Sequence, residues 1–318
     1  MNSQTGASLS AFATRCGLEG LTAPSLRAIR AHSPGYTIER GRHFLQFHRQ
    51  IRSELLSHQI ITANRYTAWF RRGEQTLDQV RALVVQFSVF SNLFLVAQLY
   101  KTINADSLAG MRASKEILAN EIGVVFRPQR PQARAATDDA DLHGDPRLVT
   151  TEGTVEGGVF RFQAAHFEWL LRLAEALGLG FGDIGQRRHG TPGTLHFCDE
   201  LVRLYGSPDY QTSHAASYAV ENWAAAGFWK ELIGGLTEFN RRHQTHLPLA
   251  FFTWHDRLED QHAQHTQDEL EALYFTRGLD ERHFIRCGNE MLDGVAAFWD
   301  GLEEQRRALA AGPARLRA

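Results

Sequence analysis

Three side chains that commonly bind metal ions recur at helical spacing in the last third of the chain. They are His255, Glu259 and His262, at positions i, i+4 and i+7, which share one face of an α-helix. Apolar residues flank them on that face: Phe251, Leu258, Leu270 and Leu273. Buried imidazoles and a buried carboxylate need partners, and a metal ion can satisfy all of them at once. The triplet therefore predicts a metal site in the protein core.

Three more metal-capable side chains lie on apolar faces of other predicted helices: Glu121, His166 and Glu221. Glu121 follows Ile117 and Leu118 by about one helical turn, so its carboxylate faces the predicted core. A carboxylate in an apolar environment must be neutralised, paired or bound to a metal. A lone core histidine is usually only hydrogen-bonded, so the significance of His166 depends on the rest of the set.

Together these six side chains favour a dinuclear metal site over a mononuclear one. Mixed carboxylate and imidazole ligands suit iron or manganese, and the lack of cysteine among them argues against structural zinc. Six protein ligands are too many for one catalytic metal with open positions, whereas two metals can share bridging carboxylates inside a helical bundle. The ferritin-like version of such a site needs two Glu-x-x-His pairs. This chain has one, Glu259 to His262, so a different helical scaffold is predicted.

Helical periodicity recurs along most of the chain from residue 36 onward and predicts an all-α fold. The predicted helices cover about 37–58, 60–72, 75–104, 106–125, 159–178, 193–206, 209–243, 248–276 and 280–309. Residues 1–35 do not fit the helical pattern and are interpreted as an N-terminal extension. Residues 36–310 are predicted to form a single helical domain with a long inserted loop at about 127–158. Such a loop is often functional, although a solvated insertion without a chemical role is the plainer interpretation.

The composition narrows the class of protein. With 318 residues and 43% hydrophobic content, the chain can bury a substantial core. The net charge is −2 and the basic residues are scattered, so no nucleic-acid-binding surface is indicated. Three distant cysteines, without a Cys-x-x-Cys pair, indicate neither a disulfide framework nor a thiolate zinc site. A cytoplasmic protein without a signal peptide is expected.

The longest apolar run, residues 84–100, is predicted to be a buried core helix. Polar residues interrupt it, whereas a membrane span needs about 20 predominantly apolar residues. Ser88, Asn92 and Gln98, with Ser91, form a polar strip that could line a pocket for a small amine or amino acid. Hydrogen bonding between helices is the alternative explanation of the same strip.

The ligand pattern resembles that of the heme-oxygenase-like di-iron oxidases and oxygenases, a superfamily of helical bundles. Glu121, between Asn120 and Gly123, matches the family's glutamate in an Asn-Glu-x-Gly-like helix end. His166 matches the histidine that opens the next helix, and Glu221 matches a lone glutamate. The family's final His-x3-Asp/Glu-x2-His motif is matched by His255, Glu259 and His262. The resemblance extends over about residues 40–305.

Two features depart from the family pattern. The insertion at 127–158 separates Glu121 from His166, which the family joins by a short turn, and Glu259 stands where close relatives often have Asp. Asp260 and His265 are competing ligands for the positions of Glu259 and His262. Asp260 lies about 100° further round the helix and is expected to face away.

The resemblance implies a heme-oxygenase-like bundle with a di-iron centre in its core. Two iron ions, with O2 as co-substrate, would oxidise a small amino acid, amine or carboxylic acid by N-oxygenation, desaturation or oxidative carbon–carbon cleavage, in natural-product biosynthesis. A mixed Mn/Fe centre, an external electron donor and a homodimer stay open, and nucleic-acid and membrane partners are not expected. The alternatives are a heme-binding or metal-independent heme-oxygenase-like enzyme and a non-enzymatic iron-binding helical protein.

Overall fold

The chain folds as a bundle of α-helices with one small β-sheet. The computed structural model describes residues 2–128, 151–155, 158–162 and 165–311. The α-helices of these residues are α1 (Asn2–Cys16), α2 (Ala23–Arg30), α3 (Ile38–Gln50), α4 (Gln59–Thr62), α5 (Arg65–Phe70), α6 (Leu77–Ile103), α7 (Leu108–Glu121), α8 (His166–Ala176), α9 (Pro192–Glu200), α10 (Tyr210–Ala224), α11 (Phe228–His243), α12 (Ala250–Thr276) and α13 (Glu281–Ala311). π-helical turns continue α3 over Ile51–Leu55 and α9 over Leu201–Tyr205. The predicted all-α class is confirmed.

Local signals explain where individual helices begin and end. α6 starts with a capping box, in which the Thr76 hydroxyl accepts a hydrogen bond from the backbone N–H of Gln79 (3.3 Å). The side-chain oxygen of Gln79 in turn accepts one from the backbone N–H of Thr76 (2.9 Å). Gly227, with a φ of 91°, separates α10 from α11 because a left-handed residue interrupts a helix. The single helix predicted over 209–243 is therefore wrong, and two helices occupy this range.

Helix α6 runs through the core of the bundle. Four of its apolar side chains, Val80, Leu83, Val84 and Phe87, have no solvent exposure. The Phe87 ring lies 5.4–6.2 Å from aromatic rings of α11, α12 and α13, measured between centroids. Among the described residues, α6 is the one helix long and apolar enough to cross a membrane, and half of its most apolar window is buried inside the bundle. That burial is compatible with the core helix of a soluble protein.

The first 35 residues form two helices instead of lying outside the helical pattern. Leu18, Leu21, Leu26 and Ile29 are buried and belong to the same apolar cluster as the centre of the bundle. Helix α2 has only eight residues, which is too short for its apolar periodicity to stand out in the sequence. The expectation of a non-helical extension is therefore wrong.

A buried carboxylate on α12 accepts hydrogen bonds from this N-terminal part and so holds it against the bundle. Glu271 has no solvent exposure. Its oxygens accept hydrogen bonds from the backbone N–H of Thr22 at 3.0 Å and from the Thr22 hydroxyl at 2.7 Å. The Gln267 amide donates a further one at 3.2 Å. Because Thr22 immediately precedes α2, the carboxylate also lies at the positive end of that helix.

Replacing Glu271 with Ala is expected to lower the free energy of unfolding by roughly 2–3 kcal/mol, because the donors of Thr22 lose a charged acceptor. Chemical denaturation followed by circular dichroism measures this change. Glu116→Ala, at an exposed position of α7, is the matched control and should alter stability by less than about 0.5 kcal/mol. Equal stabilities of the two variants would contradict a fastening role for Glu271.

A three-stranded antiparallel sheet follows α7. Its strands are β1 (Val124–Pro128), β2 (Thr151–Val155) and β3 (Gly158–Phe162), in the order β1-β3-β2. Strands thus form at both ends of the predicted loop 127–158, and the helix predicted from residue 159 begins only at His166. Phe160 and Phe162 alternate with Arg161, which is the two-residue period of a strand and explains the difference. Residues 129–150 and 156–157 of the predicted loop lie outside the described residues.

Candidate metal centre

Strand pairing brings together the first two predicted metal ligands, which are 45 positions apart in the sequence. Glu121 is the last residue of α7, shortly before β1, and His166 is the first residue of α8, shortly after β3. In the antiparallel register Val124 lies opposite Phe162. Directly opposed residues of such a pair are about 5 Å apart between Cα atoms, so the two helix ends meet. The insertion therefore leaves Glu121 and His166 as neighbours.

Glu121 and His166 form a buried carboxylate–imidazole pair. Oε2 of Glu121 lies 2.8 Å from Nδ1 of His166, and the two side chains are 14% and 5% exposed. When Nδ1 carries the proton and donates it to the carboxylate, the lone pair of the neutral ring is on Nε2. Nε2 is buried and has no hydrogen-bond partner among the described residues. Because a buried polar atom without a partner is costly, a ligand for Nε2 is expected, and a carboxylate-oriented histidine is typical of metal sites.

His255 on α12 lies directly beside this pair. Its ring centroid is 4.7 Å from that of His166. Nδ1 of His255 is 2.6 Å from the backbone carbonyl oxygen of Phe251, one helical turn earlier, so Nδ1–H donates to that carbonyl. The neutral ring then also has its lone pair on Nε2. The indole of Trp229 stacks on His255, with a centroid distance of 4.7 Å and an interplanar angle of 20°.

The other two residues of the triplet keep their predicted helical positions. Helix α12 is continuous from Ala250 to Thr276, so the backbone places Glu259 and His262 on the same face as His255. The side chains of residues 258–265 lie outside the described residues, and they include the alternatives Asp260 and His265. Among the described side chains, no group of three His, Cys, Asp or Glu residues is arranged to hold a metal ion. The complete ligand set therefore stays a prediction.

The charges of Glu221 on α10 and of Glu121 on α7 both affect the pKa of one tyrosine, Tyr205. Burial first, and then the negative charges of Glu221, Glu269 and Glu121, raise the pKa of Tyr205 well above its usual value. The carboxylates of α7, α10 and α12 therefore each contribute to the negative potential at Tyr205. Glu121 and Glu221, two predicted ligands on different helices, thus both act on the same tyrosine through their charge.

Sequence reasoning missed a half-buried cation in this region, Lys101. Its Nζ donates a hydrogen bond to Oγ of Ser217 (2.6 Å) and lies 4.1 Å from the ring centroid of Tyr205. Burial lowers the pKa of Lys101, an effect that nearby carboxylates oppose. Burial and then the charge of Lys101 lower the pKa of His214 to about 4, so this imidazole is neutral at neutral pH. One signal was present in the sequence, because Lys101 follows Gln98 by three residues on the polar side of α6.

The polar strip of α6 makes hydrogen bonds to neighbouring segments. Oγ of Ser88 accepts a hydrogen bond from the backbone N–H of Gly185 (2.8 Å). Nδ2 of Asn92 donates a hydrogen bond to the backbone carbonyl of Gly185 (2.9 Å). Gln98 donates to the backbone of α7 (2.8 Å) and accepts from the Tyr205 hydroxyl (2.7 Å). The contacts of Gln98 agree with the alternative of hydrogen bonding between helices, whereas Ser88 and Asn92 bond to the connection between α8 and α9. A substrate-binding role for Ser88, Asn92 and Gln98 stays a prediction.

Comparison with known proteins supports the fold. No protein-family model matches the sequence, and no curated protein matches it. Among solved structures, the crystal structure of a CADD-like protein of unknown function from Nostoc punctiforme PCC 73102 is similar, with a TM-score of 0.52 and 15% sequence identity. The match covers 85% of this chain and 99% of that chain. At this identity the likeness establishes a shared fold, and the chain is an all-α helical bundle of that architecture.

Proposed function

We propose that the chain is an O2-dependent non-heme di-iron oxidoreductase of the heme-oxygenase-like superfamily. Its substrate is a small amino acid, amine or carboxylic acid, which it oxidises by N-oxygenation, desaturation or oxidative carbon–carbon cleavage in natural-product biosynthesis. The proposed ligands of the two iron ions are Glu121, His166, Glu221, His255, Glu259 and His262.

The observation that carries this proposal is the buried Nε2 of His166. It has no hydrogen-bond partner among the described residues, while Nδ1 of the same ring is held by Glu121. The ring of His255 lies alongside, and its Nδ1 is engaged by a backbone carbonyl. Two imidazoles whose Nδ1 atoms are both engaged, next to a carboxylate, are a donor set that suits iron.

The protein residues around the two histidines would orient them and exclude water. Bound iron would supply the redox chemistry with O2. Glu121 holds the proton of His166 at Nδ1, and the carbonyl of Phe251 does the same for His255. The ring of Trp254 is 4.5 Å from that of His166, and Phe251 is 4.3 Å from His255, both measured between centroids. Such aromatic packing keeps bulk water away and strengthens the electrostatic interactions inside the site.

The structural comparison adds support at the level of the superfamily. The similar solved structure is described as CADD-like, and the resemblance of the ligand pattern points to the same group of helical bundles. Neither supplies a substrate, so the substrate classes above follow from the resemblance of the ligand pattern.

Metal counting on the purified chain tests the proposal. The protein is loaded anaerobically with ferrous ion, freed of excess metal, analysed for iron, and then exposed to O2 for Mössbauer spectroscopy. The expected result is about two irons per chain, with the spectrum of a coupled diferric pair after oxidation. One iron per chain, or none, would overturn the proposal.

Two further measurements on the purified protein distinguish the heme-binding alternative from the non-enzymatic iron-binding alternative. A heme-binding protein would develop a Soret band on addition of hemin and would depend on one histidine. An iron-binding protein without enzymatic function would oxidise ferrous ion but would not couple O2 consumption to oxidation of an organic substrate.

A further inference from the structure

Lysine is rare in this chain, and one of its three lysines lies inside the bundle. Lys115 and Lys230 are exposed, whereas Lys101 is half-buried between α6 and α10. The other 31 of the 34 basic residues are arginines. A buried ammonium group is costly unless a negative partner or several hydrogen bonds compensate it. The position of Lys101 therefore requires an explanation.

The described contacts of Lys101 use only part of its binding capacity. Nζ donates one hydrogen bond, to Oγ of Ser217 at 2.6 Å. The Tyr205 ring lies 4.1 Å away and attracts the charge through its face. Among the described side chains, Lys101 forms no ion pair with a carboxylate, and Glu269 and Glu221 act on it through their charge. Because an ammonium group has three donors, the hydrogen bonds among the described residues leave two of them for an anion.

The serine that accepts the hydrogen bond of Lys101 lies one helical turn from a predicted metal ligand. Ser217 precedes Glu221 by four residues on α10, so the two side chains share a face about 6 Å apart. The neighbouring Tyr205 is fixed, because its hydroxyl donates to Oε1 of Gln98 at 2.7 Å and its side chain has no solvent exposure. The cation is therefore held by a serine that lies one helical turn from Glu221.

The negative charges near Lys101 determine which kind of anion can bind to it. Glu221 and Glu269 both act on Lys101, which disfavours a ligand with two negative charges such as a phosphate monoester. A lysine is also a single point charge without the fork of donors that arginine offers to phosphate. A monoanion that accepts a hydrogen bond from Nζ matches this single charge.

We propose that Lys101, whose Nζ is held by Ser217, binds the carboxylate of the substrate and places its reacting atom toward the metal centre. The proposal rests on the proposed function and narrows its substrate class to small carboxylic acids, including amino acids. Lys101 is then a specificity-determining residue, since it sets which end of the substrate faces the metal centre.

Calorimetric titration of the anaerobic, iron-loaded chain tests the proposal. The probes are butyrate, octanoate and benzoate, each beside its primary amide. The wild-type chain should bind at least one carboxylate and bind the matching amide much more weakly. Lys101→Met should weaken carboxylate binding at least about tenfold, equivalent to about 1.4 kcal/mol. Lys101→Arg should retain part of the affinity, and Lys230→Met, at an exposed position of α11, should retain all of it.

Iron analysis of the same samples separates this proposal from the proposed function. Lys101→Met with wild-type iron content but weakened carboxylate binding supports the subsite. Undiminished binding in Lys101→Met overturns it, because the acid then binds elsewhere, for example to the metal alone. A wild-type chain that binds no carboxylate also overturns it. A chain that lacks iron but binds carboxylate through Lys101 contradicts the proposed function and leaves the subsite standing.

Lysine acetylation of the wild-type chain gives a test that does not depend on folding of the variants. Acetic anhydride labels exposed amines, and mass spectrometry reports Lys101, Lys115 and Lys230 separately. A bound carboxylate should slow the labelling of Lys101 several-fold and leave the two exposed lysines unchanged. Equal labelling of Lys101 with and without the best-binding carboxylate would overturn the assignment.

Discussion

A His166→Ala variant is expected to bind iron at least about 100-fold more weakly than the wild-type chain and to lose O2-dependent turnover. Changes to residues that only orient a metal ligand cost about 10–100-fold in affinity or activity, so removal of the ligand itself should reach the upper end or beyond. The change also deprives Glu121 of its 2.8 Å contact and leaves a buried carboxylate without that partner. Anaerobic titration with ferrous ion, followed by iron analysis after desalting, measures the loss.

A second histidine provides the matched control. His189 also has a buried ring nitrogen, Nδ1, without a hydrogen-bond partner among the described residues. It lies on a single 3-10 turn between α8 and α9 and is not among the predicted ligands. His189→Ala should therefore keep the wild-type iron content. If both variants bound iron like the wild-type chain, the orphaned nitrogen of His166 would have no connection with a metal.

The carboxylate partner can be tested without changing the shape of the side chain. Glu121→Gln keeps an oxygen that can accept from Nδ1 of His166 but removes the negative charge. Iron affinity should fall less than in His166→Ala if Glu121 mainly orients the ring, and about equally if Glu121 is a ligand itself. A normal affinity would exclude both roles for this carboxylate.

The sequence places the predicted ligands on helices because helical periodicity is a local property. His166 precedes and His255 follows apolar neighbours at helical spacing, and the two rings lie next to each other. The contact between Glu121 and His166 is different. It depends on the pairing of Val124 with Phe162, and such non-local strand pairing leaves only a weak pattern in a single sequence.

The positions of Tyr205 and Lys101 could also not be predicted from the sequence. Tyr205 ends a π-helical turn, which adds a residue per turn and rotates the following side chains away from the α-helical spacing. Lys101 is a single cation on a helix with many polar interruptions, so its type alone does not tell whether it faces solvent or the core. Both positions follow from tertiary packing of α6 against α10 and the turn after α9.

A Phe87→Ala variant is expected to lose about 3–5 kcal/mol of unfolding free energy, the largest loss of stability that we predict. Phe87 has no solvent exposure. Its ring lies 5.4 Å from Phe298 on α13 and 5.9 Å from Trp229 on α11, measured between centroids. Truncation would leave a cavity between helices that cannot close without moving several large rings, so the transfer and cavity costs add. Urea denaturation followed by circular dichroism measures the loss.

An exposed phenylalanine provides the control for this truncation. Phe181 is 65% exposed, and Phe181→Ala should change stability by less than about 0.5 kcal/mol. Phe87→Leu should fall between the two, because most of the apolar volume is kept. A loss below about 1 kcal/mol in Phe87→Ala would mean that the bundle closes around the missing ring, contrary to the close packing of large rings around Phe87.

The same truncation should weaken the metal centre although it removes no ligand. Phe87 lies 6.2 Å from Phe251, whose backbone carbonyl holds Nδ1 of His255 at 2.6 Å. A cavity beside Phe251 lets the first turn of α12 shift, and metal sites tolerate displacements of only about 0.5 Å in their ligands. Iron affinity should therefore fall several-fold in Phe87→Ala at temperatures where the variant is still folded, and stay unchanged in Phe181→Ala. An unchanged affinity would show that α12 is held in place by its other contacts, with Trp229 the strongest candidate because it stacks directly on His255.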